Sequence, residues 1–548
     1  MIKLLRSWAS GVLLLLGAVH AVAQTIAVRG DIVDADTGHP LAARLYLQGA
    51  DGKWHFPKSA APDGSAVRYE KRSGFNTNAT EFHTTLSAHP WVAELPPGDY
   101  TALVERGKEW LPLTNRFTVA TQPVELKLRL KRWVNMAERG WFSGDAHNHR
   151  APAELATAML AEDVNVALPM IDWTTVDTVP PALSERNMKG NFGAQPVAVD
   201  ATHVWHPRNT EYEIFRAAGK NHTLGALLVA GHKERFDVPV FPLGRIAERA
   251  HAQGALIDLE KHNWPWTVAI VPVLKPDLIE LANNHHWRIE FGVRNWAVPA
   301  PKWMRLAERG LGNGSGVDTE LAWTHYGFET YYALLNCGFR LRPSAGTANG
   351  VHPVPLGFSR VYVHCDGGFS YEKWMKGYAE GKSFVTTGPM VMATANGQQA
   401  GAEFKSKTPL EITFDIEAGF VATEPNQAMM IVQVIHNGSV VASKNAGFVE
   451  GRGDTSLKWV QVNVPAKESG WFALRTVDLC SGRFFAHTAP WWVEIEGKPL
   501  RPKREQADWF VQRTEEEIAR HTGVLAPEQL ADFHAALAAW KKIQATAQ

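Results

Sequence analysis

The hydrophobic period changes twice along this chain, and that change limits the architectures open to it. Val124-Glu125-Leu126-Lys127-Leu128-Arg129-Leu130-Lys131 alternates apolar and polar residues, as a strand with one buried face must. Turn signals at Asp36-Thr37-Gly38 and Pro96-Pro97-Gly98-Asp99 punctuate the same region. Residues 24–135 therefore read as an all-β unit. From 136 to 390 short apolar runs at 165–171, 225–230, 255–259, 277–282 and 361–363 alternate with helical patterns. Phe328, Tyr331, Tyr332 and Leu335 make one such helical stripe, and Gly338 is placed to end it. Alternation of this kind predicts a parallel α/β barrel or sheet, with chemistry at the C-terminal strand ends. Residues 391–499 return to period two, with Leu410, Ile412, Phe414 and Ile416 on one face and Asn437-Gly438 as a hairpin turn. Residues 500–548 read as helices, with Thr514 and Glu517 as a capping box, Pro527 at a first helical position, and Leu530, Phe533, Leu537 and Trp540 as a docking stripe. The fold class is thus multidomain, α/β plus all-β.

Composition excludes several functions. Lys+Arg and Asp+Glu number 56 each, so no basic excess exists to hold nucleic acid. The first 23 residues have the form of a cleavable signal peptide: Lys3 and Arg6, an apolar run within 11–19, and Ala21-Val22-Ala23 before the cut. A periplasmic or secreted protein is expected, without stable membrane insertion after cleavage. The three cysteines, Cys337, Cys365 and Cys480, are too few for a disulfide scaffold.

The sharpest local feature is Gly144-Asp145-Ala146-His147-Asn148-His149. On a strand, His147 and His149 point to one side and can converge on one metal ion. Further carboxylates and histidines border the apolar runs: Glu211 and Glu213 in RNTEYE, His222, Asp258, Glu260 and His262, and His285 with His286. Such residues ending several strands are what a metal site on a barrel needs. Trp264, Trp266, Trp287, Trp296, Trp303 and Trp323 offer either an aromatic substrate wall or core packing. Gly314-Ser315-Gly316 lacks the spacing of a serine nucleophile elbow.

The segments GDAHNHR, LAEDVNVALPMIDW, GALIDLEKHNWPW, DLIELANNHHW and YYALLNCGFRLRPSAGTANG, with PLGFSRVYVH and GKSFVTTGPM, occur in that order. Together they resemble the PHP-type metallohydrolases related to carbaryl hydrolase, the CehA/McbA-like family. The resemblance implies a PHP-like distorted (β/α) barrel; the period-two units on either side are expected to be N-terminal and C-terminal β-sandwich domains. The N-terminal one looks like a prealbumin or carboxypeptidase-regulatory module. The resemblance also implies one to three divalent ions, zinc or alternatively manganese or iron. Its ligands would be His147, His149, Glu211 (with Glu213 as the alternative), His222, Glu260 and His285. The pattern departs from the family at Ile171-Asp172-Trp173, at Ser344-Ala345-Gly346-Thr347-Ala348-Asn349 and at Asp258-Leu259-Glu260-Lys261. One metal position is therefore either lost or filled by a carboxylate.

The activity so implied is hydrolysis of an ester, amide or carbamate bond in a small molecule by metal-activated water. Lys261 would stabilise a developing oxyanion, and Asp145 or Asp172 would orient ligands or act as general base. The competing readings are a phosphoesterase and a non-catalytic binding or scaffold protein on a degenerate barrel.

Overall fold

The computed structural model describes residues 25–74, 79–183, 192–262, 264–287, 298–314, 319–422, 428–449, 454–478 and 484–548. The expected signal peptide, Cys480, Trp296 and the Ser315-Gly316 pair lie outside them. The described chain is mostly β-sheet with few helices.

The described residues between 25 and 130 form two sheets. In one, Ile26–Asp34 lies between Val124–Leu130 and Trp91–Leu95. In the other, Ala43–Gly49 lies between Thr80–Leu86 and Gly98–Glu105. Both contribute alternate side chains to one cluster that includes Val28, Leu45, Leu47, Trp91, Val104 and Leu128. The period-two pattern at 124–131 is the visible half of that arrangement.

The middle of the chain departs from the expected parallel order. A mixed sheet runs Asp172–Val176, Asn209–Ala217, Ala226–Ala230, Leu256–Glu260, Leu278–Ala282, Arg342–Ala345. The outer neighbours are parallel, but Ala226–Ala230 is antiparallel to both strands beside it. The cause is local: eight residues separate Ala217 from Ala226, and a parallel crossover needs a dozen or more. A second sheet carries Trp141–Asn148 between Val166–Pro169 (parallel) and Arg360–His364 (antiparallel). That sheet continues through Ser383–Thr386, Phe485–Thr488 and Gly470–Asp478 to Ala428–His436. One set of hydrogen bonds therefore links the HxH strand to strands beyond residue 391.

The strand pair Ala428–His436 and Ser439–Val449 turns at Asn437 and Gly438, both at positive φ (48° and 83°), as a tight two-residue hairpin requires. Helix Glu320–Asn336 ends at Cys337, with Gly338 in the left-handed region. Thr514 and Glu517 do not start a helix. They lie inside Arg504–His521, where Thr514 donates to Phe510 O (2.8 Å) and Glu517 pairs with Arg513, Arg520 and His521. The helix begins eleven residues earlier than that pattern suggested, with Lys503 rather than Thr514 as its N-cap. Pro527 does open the last helix, Pro527–Ala545. Its stripe docks on the body: Phe533 and Trp540 are fully buried, and Trp540 stacks on Phe510 at 4.3 Å. The Trp540 indole N–H donates to Ala269 O (3.2 Å). Trp540→Ala is expected to lower unfolding stability by about 3–5 kcal/mol in denaturant titration, the usual cost of truncating a buried aromatic. An unchanged midpoint would mean that this helix does not dock.

Candidate metal centre

Period-two geometry aims several polar pairs at one place. His147 sits at the end of Trp141–Asn148 and His149 just beyond it; Glu211 and Glu213 share one face of Asn209–Ala217; Asp258 and Glu260 share one face of Leu256–Glu260. The parallel pairing of Leu256–Glu260 with Leu278–Ala282 sets Asp258 beside Leu278. Continued two residues, the same register brings Glu280 beside Glu260. His147, His149, Glu211, Glu260 and Glu280 are all buried.

The ligating atoms are close. His149 Nε2 lies 3.1 Å from Glu211 Oε2, and His147 Nε2 lies 3.8 Å from Glu211 Oε1. The two imidazole Nε2 atoms face each other at 3.3 Å. On its other side, His147 Nδ1 lies 2.9 Å from Glu280 Oε1 and 3.8 Å from Glu260 Oε1. A carboxylate on Nδ1 fixes the proton there and leaves Nε2 as a lone-pair donor, the usual arrangement behind a metal-binding histidine. Three overlapping groups have donor atoms within 4.8 Å of one another: His147–His149–Glu211, His147–Glu260–Glu280 and Glu211–Glu213–Glu260.

These residues fit a divalent cation. Glu260 Oε2, Glu280 Oε2 and Asp258 Oδ1 are buried without a hydrogen-bond partner. Buried carboxylate oxygens are costly in that condition unless a cation satisfies them. Hard oxygen donors with two imidazoles suit zinc, manganese or iron. Burial acts to raise the Glu211 carboxyl, but the charge and hydrogen bond of His149, with His147 and Lys261, outweigh it and hold it at about 2. Burial, reinforced by Glu280, pushes Asp258 well up. For His147, burial acts downward, and Glu280 overcomes it to raise the imidazole.

Lys261 points inward. It ion-pairs with Glu260, lies 2.9 Å from Glu213 and 3.9 Å from Glu211. Its backbone is left-handed (φ 55°), an uncommon conformation for a residue with a side chain. Asp145 is buried next to the ligands but serves the backbone. It accepts from Thr347 Oγ1 (2.5 Å), Gly357 N (2.9 Å), His147 N (3.2 Å) and Thr347 N (3.3 Å). Burial lifts its carboxyl to about 6 in spite of those bonds. Of the two expected roles, this geometry matches orienting the ligand strand.

Three expected residues, Asp172, His222 and His285, lie outside the three close groups. Asp172 gives its carboxylate to Arg235, with Nε at 3.1 Å and Nη2 also bonded. His222 N bonds to Phe215 O across a hairpin, and its ring turns to His521 (2.9 Å) on the helix Arg504–His521. That helix lies 300 residues further on, so nearness to Glu211 and Glu213 in sequence could not foresee it. His285 is buried at the rim against Trp323 (5.3 Å), outside the three close groups. Burial, then the charges of His352 and Lys261, pushes it well down. Trp173 packs on the His149 ring, with centroids 5.4 Å apart.

Sequence reasoning missed Glu280. The signal was present: a single charge inside Leu278-Ile279-Glu280-Leu281-Ala282 must be buried with its strand. Trp264, Trp266 and Trp323 are core residues, at 2% exposure or less. Cys337 and Cys365 are buried free thiols, and burial pushes them up to about 12 and about 11.

No family model matches the chain, and no curated protein matches it. Among solved structures it is similar to a two-domain protein from Bacteroides vulgatus containing a predicted PHP-like metal-dependent phosphoesterase. The identity is 9%, over 61% of this chain and 90% of that chain, with a TM-score of 0.27. It is also similar to a CARDB domain from Pyrococcus furiosus in complex with di-metal ions, at 13% identity over 20% of this chain and 93% of that chain, with a TM-score of 0.13. Superpositions this loose leave the chemistry to be read from the side chains themselves.

The backbone packs tightly at this point. A Cβ on Gly346 would stand 2.3 Å from His147 Cβ and 2.9 Å from Glu280 Oε1. Gly346→Ala and Glu280→Gln are each expected to lower bound metal at least several-fold by elemental analysis, while His222→Ala leaves it unchanged. Full metal content in both of the first two variants would remove Glu280 and its neighbourhood from the site.

Proposed function

We propose that the protein is a secreted metal-dependent hydrolase of small molecules. The observation that carries this is the convergence of His147, His149, Glu211, Glu213, Glu260 and Glu280 from four strands on one buried spot. A divalent ion held by His147, His149 and Glu211, with Glu260 and Glu280 beside them, would supply Lewis acidity and water acidified to a pKa of about 7. Lys261 holds a positive charge beside Glu213 and Glu260, where it can meet negative charge developing on a substrate oxygen. Trp173 covers one side of His149 and narrows the approach to it. Asp145 keeps the HxH segment tied to the loop at 347–357.

The bond class proposed is an ester, amide or carbamate. What supports it is the ordered motif set that resembles the carbaryl-hydrolase-like PHP proteins, together with a polar centre whose inward cation, among the described residues of the close groups, is Lys261 rather than a guanidinium clamp for phosphate. The same motif set supports a PHP-like barrel for 136–390, and the period-two strands support β-sandwich roles for 24–135 and 391–499. The signal-like leader supports export. No described helix is long and apolar enough to cross a membrane.

Parallel assays on aryl acetates, aryl carbamates and p-nitrophenyl phosphate test this reading, with metal content measured on the same preparation. Hydrolysis of the carbonyl substrates, abolished by chelation and restored by metal, is expected. His147→Ala should cut both activity and metal content by about 100-fold or more while the protein stays folded, since positioning and electrophilic activation fail together. Turnover of the phosphate ester alone would make the protein a phosphoesterase. A folded protein that holds no metal and ignores chelators would be a binding or scaffold protein.

A further inference from the structure

A cleft of about 500 Å³ has none of the ligand residues in its lining. It lies between the helix Glu320–Asn336, the turn at Gly438, the strand Gly470–Asp478 and the start of the helix Arg504–His521. Its size is ordinary for a small-molecule site. Its lining carries four cations, Arg305, Arg309, Arg475 and Lys503, against the two carboxylates Glu329 and Glu505.

Two of the cations already have carboxylate partners. Arg309 pairs with Glu329 (2.6 Å) and Arg305 with Glu308 (2.5 Å). Arg475 does not. It is 3% exposed and its guanidinium lies over the Phe328 ring at 4.9 Å. Its Nε and Nη2 both donate to one neutral acceptor, the Gln433 amide oxygen, at 3.0 and 2.5 Å. No carboxylate among the described residues lies within 4.0 Å of it. A guanidinium cannot shed its proton, so among the described residues this buried charge has no counter-ion. Lys503, half-buried on the opposite wall, also has no ion pair among the described residues. Trp303 and Tyr332 add aromatic surface.

We propose that this cleft binds a small organic anion, its carboxylate or phosphate head held by Arg475 and Lys503 and its apolar part lying along Trp303 and Tyr332. A guanidinium at a cleft, here bonded only to the neutral Gln433 amide and Tyr332 hydroxyl among the described residues, matches planar and tetrahedral oxyanions. None of these residues belongs to the metal centre, so this site does not rest on the hydrolase reading.

Calorimetric titration of the full chain with benzoate, phenyl phosphate and neutral benzyl alcohol, at an ionic strength fixed with sodium chloride, tests it. Binding of one or both anions and none of the alcohol is expected, and the stronger anion identifies the head group. Arg475→Gln should weaken binding about tenfold or more, the worth of a charge-assisted hydrogen bond. Lys503→Gln should weaken it several-fold, and it remains the test if Arg475→Gln does not fold. Because a metal centre also takes oxyanions, the titration is repeated with His147→Ala, in which cleft binding should persist. Absence of binding in the unaltered protein overturns the proposal. So does binding lost in His147→Ala, or binding unchanged in Lys503→Gln.

Discussion

Like charges brought together out of water set the terms for this protein. Glu211, Glu260 and Glu280 are each about 1% exposed, and Glu213 is close by. Two unit charges 4 Å apart repel by about 4 kcal/mol at an effective dielectric of 20. Four such carboxylates are tolerable only with compensating cations. Lys261 supplies part of that compensation, and a divalent ion held by His147 and His149 would supply more. The precise inward aim of the strands follows from the same demand. A strand slipped by one residue would turn its glutamates away and break the balance.

The N-terminal sheets act on this centre from outside it. The Tyr69 hydroxyl donates to His352 O (2.7 Å) and accepts from Gly350 N (2.9 Å), in the loop whose residue Thr347 holds Asp145. Glu81, whose Oε2 accepts from the Trp287 indole N–H (3.2 Å), ties the same module to the residues after His285 and His286. Arg44 pairs with Glu162, and Arg106 and Arg132 with Asp163, at the end of the helix that follows the HxH motif. Buried pairs of this kind give registry more than net stability. The module thus fixes where two loops of the centre stand, a role that burial and bonding assign to it without any ligand of its own.

Much of this could be read from the sequence, for identifiable reasons. Alternation at 124–131, the Asn437-Gly438 turn and the apolar runs near 226–230, 256–260 and 278–282 are local signals, and local physics determined them. The paired residues His147 and His149, and Glu211 with Glu213, were visible because a period of two aims both members alike. Strand direction was not legible, because it depends on connector length and on which neighbours a strand finds. His222 and Asp172 were misplaced for the same reason: His521 and Arg235, which hold them, are distant in sequence. Glu280 was passed over in favour of the more conspicuous His285, although a charge inside an apolar strand is the stronger constraint.

Lys261 carries the charge argument one step further. Its ammonium group contacts Glu213 and Glu260 and approaches Glu211. Those three carboxylates are one of the three close groups capable of holding a cation. The lysine therefore stands at a position that an ion would otherwise take, and it does so from a left-handed backbone that directs it there. A protein that fills one cation position with its own side chain has fewer left for metal. The two groups centred on His147 remain, and they share that histidine, so its imidazole cannot serve both through the same nitrogen. Nε2 faces His149 and Glu211, while Nδ1 faces Glu260 and Glu280. With Nδ1 keeping its proton and donating it to the carboxylate partner, the His149 side is the one where His147 can ligate.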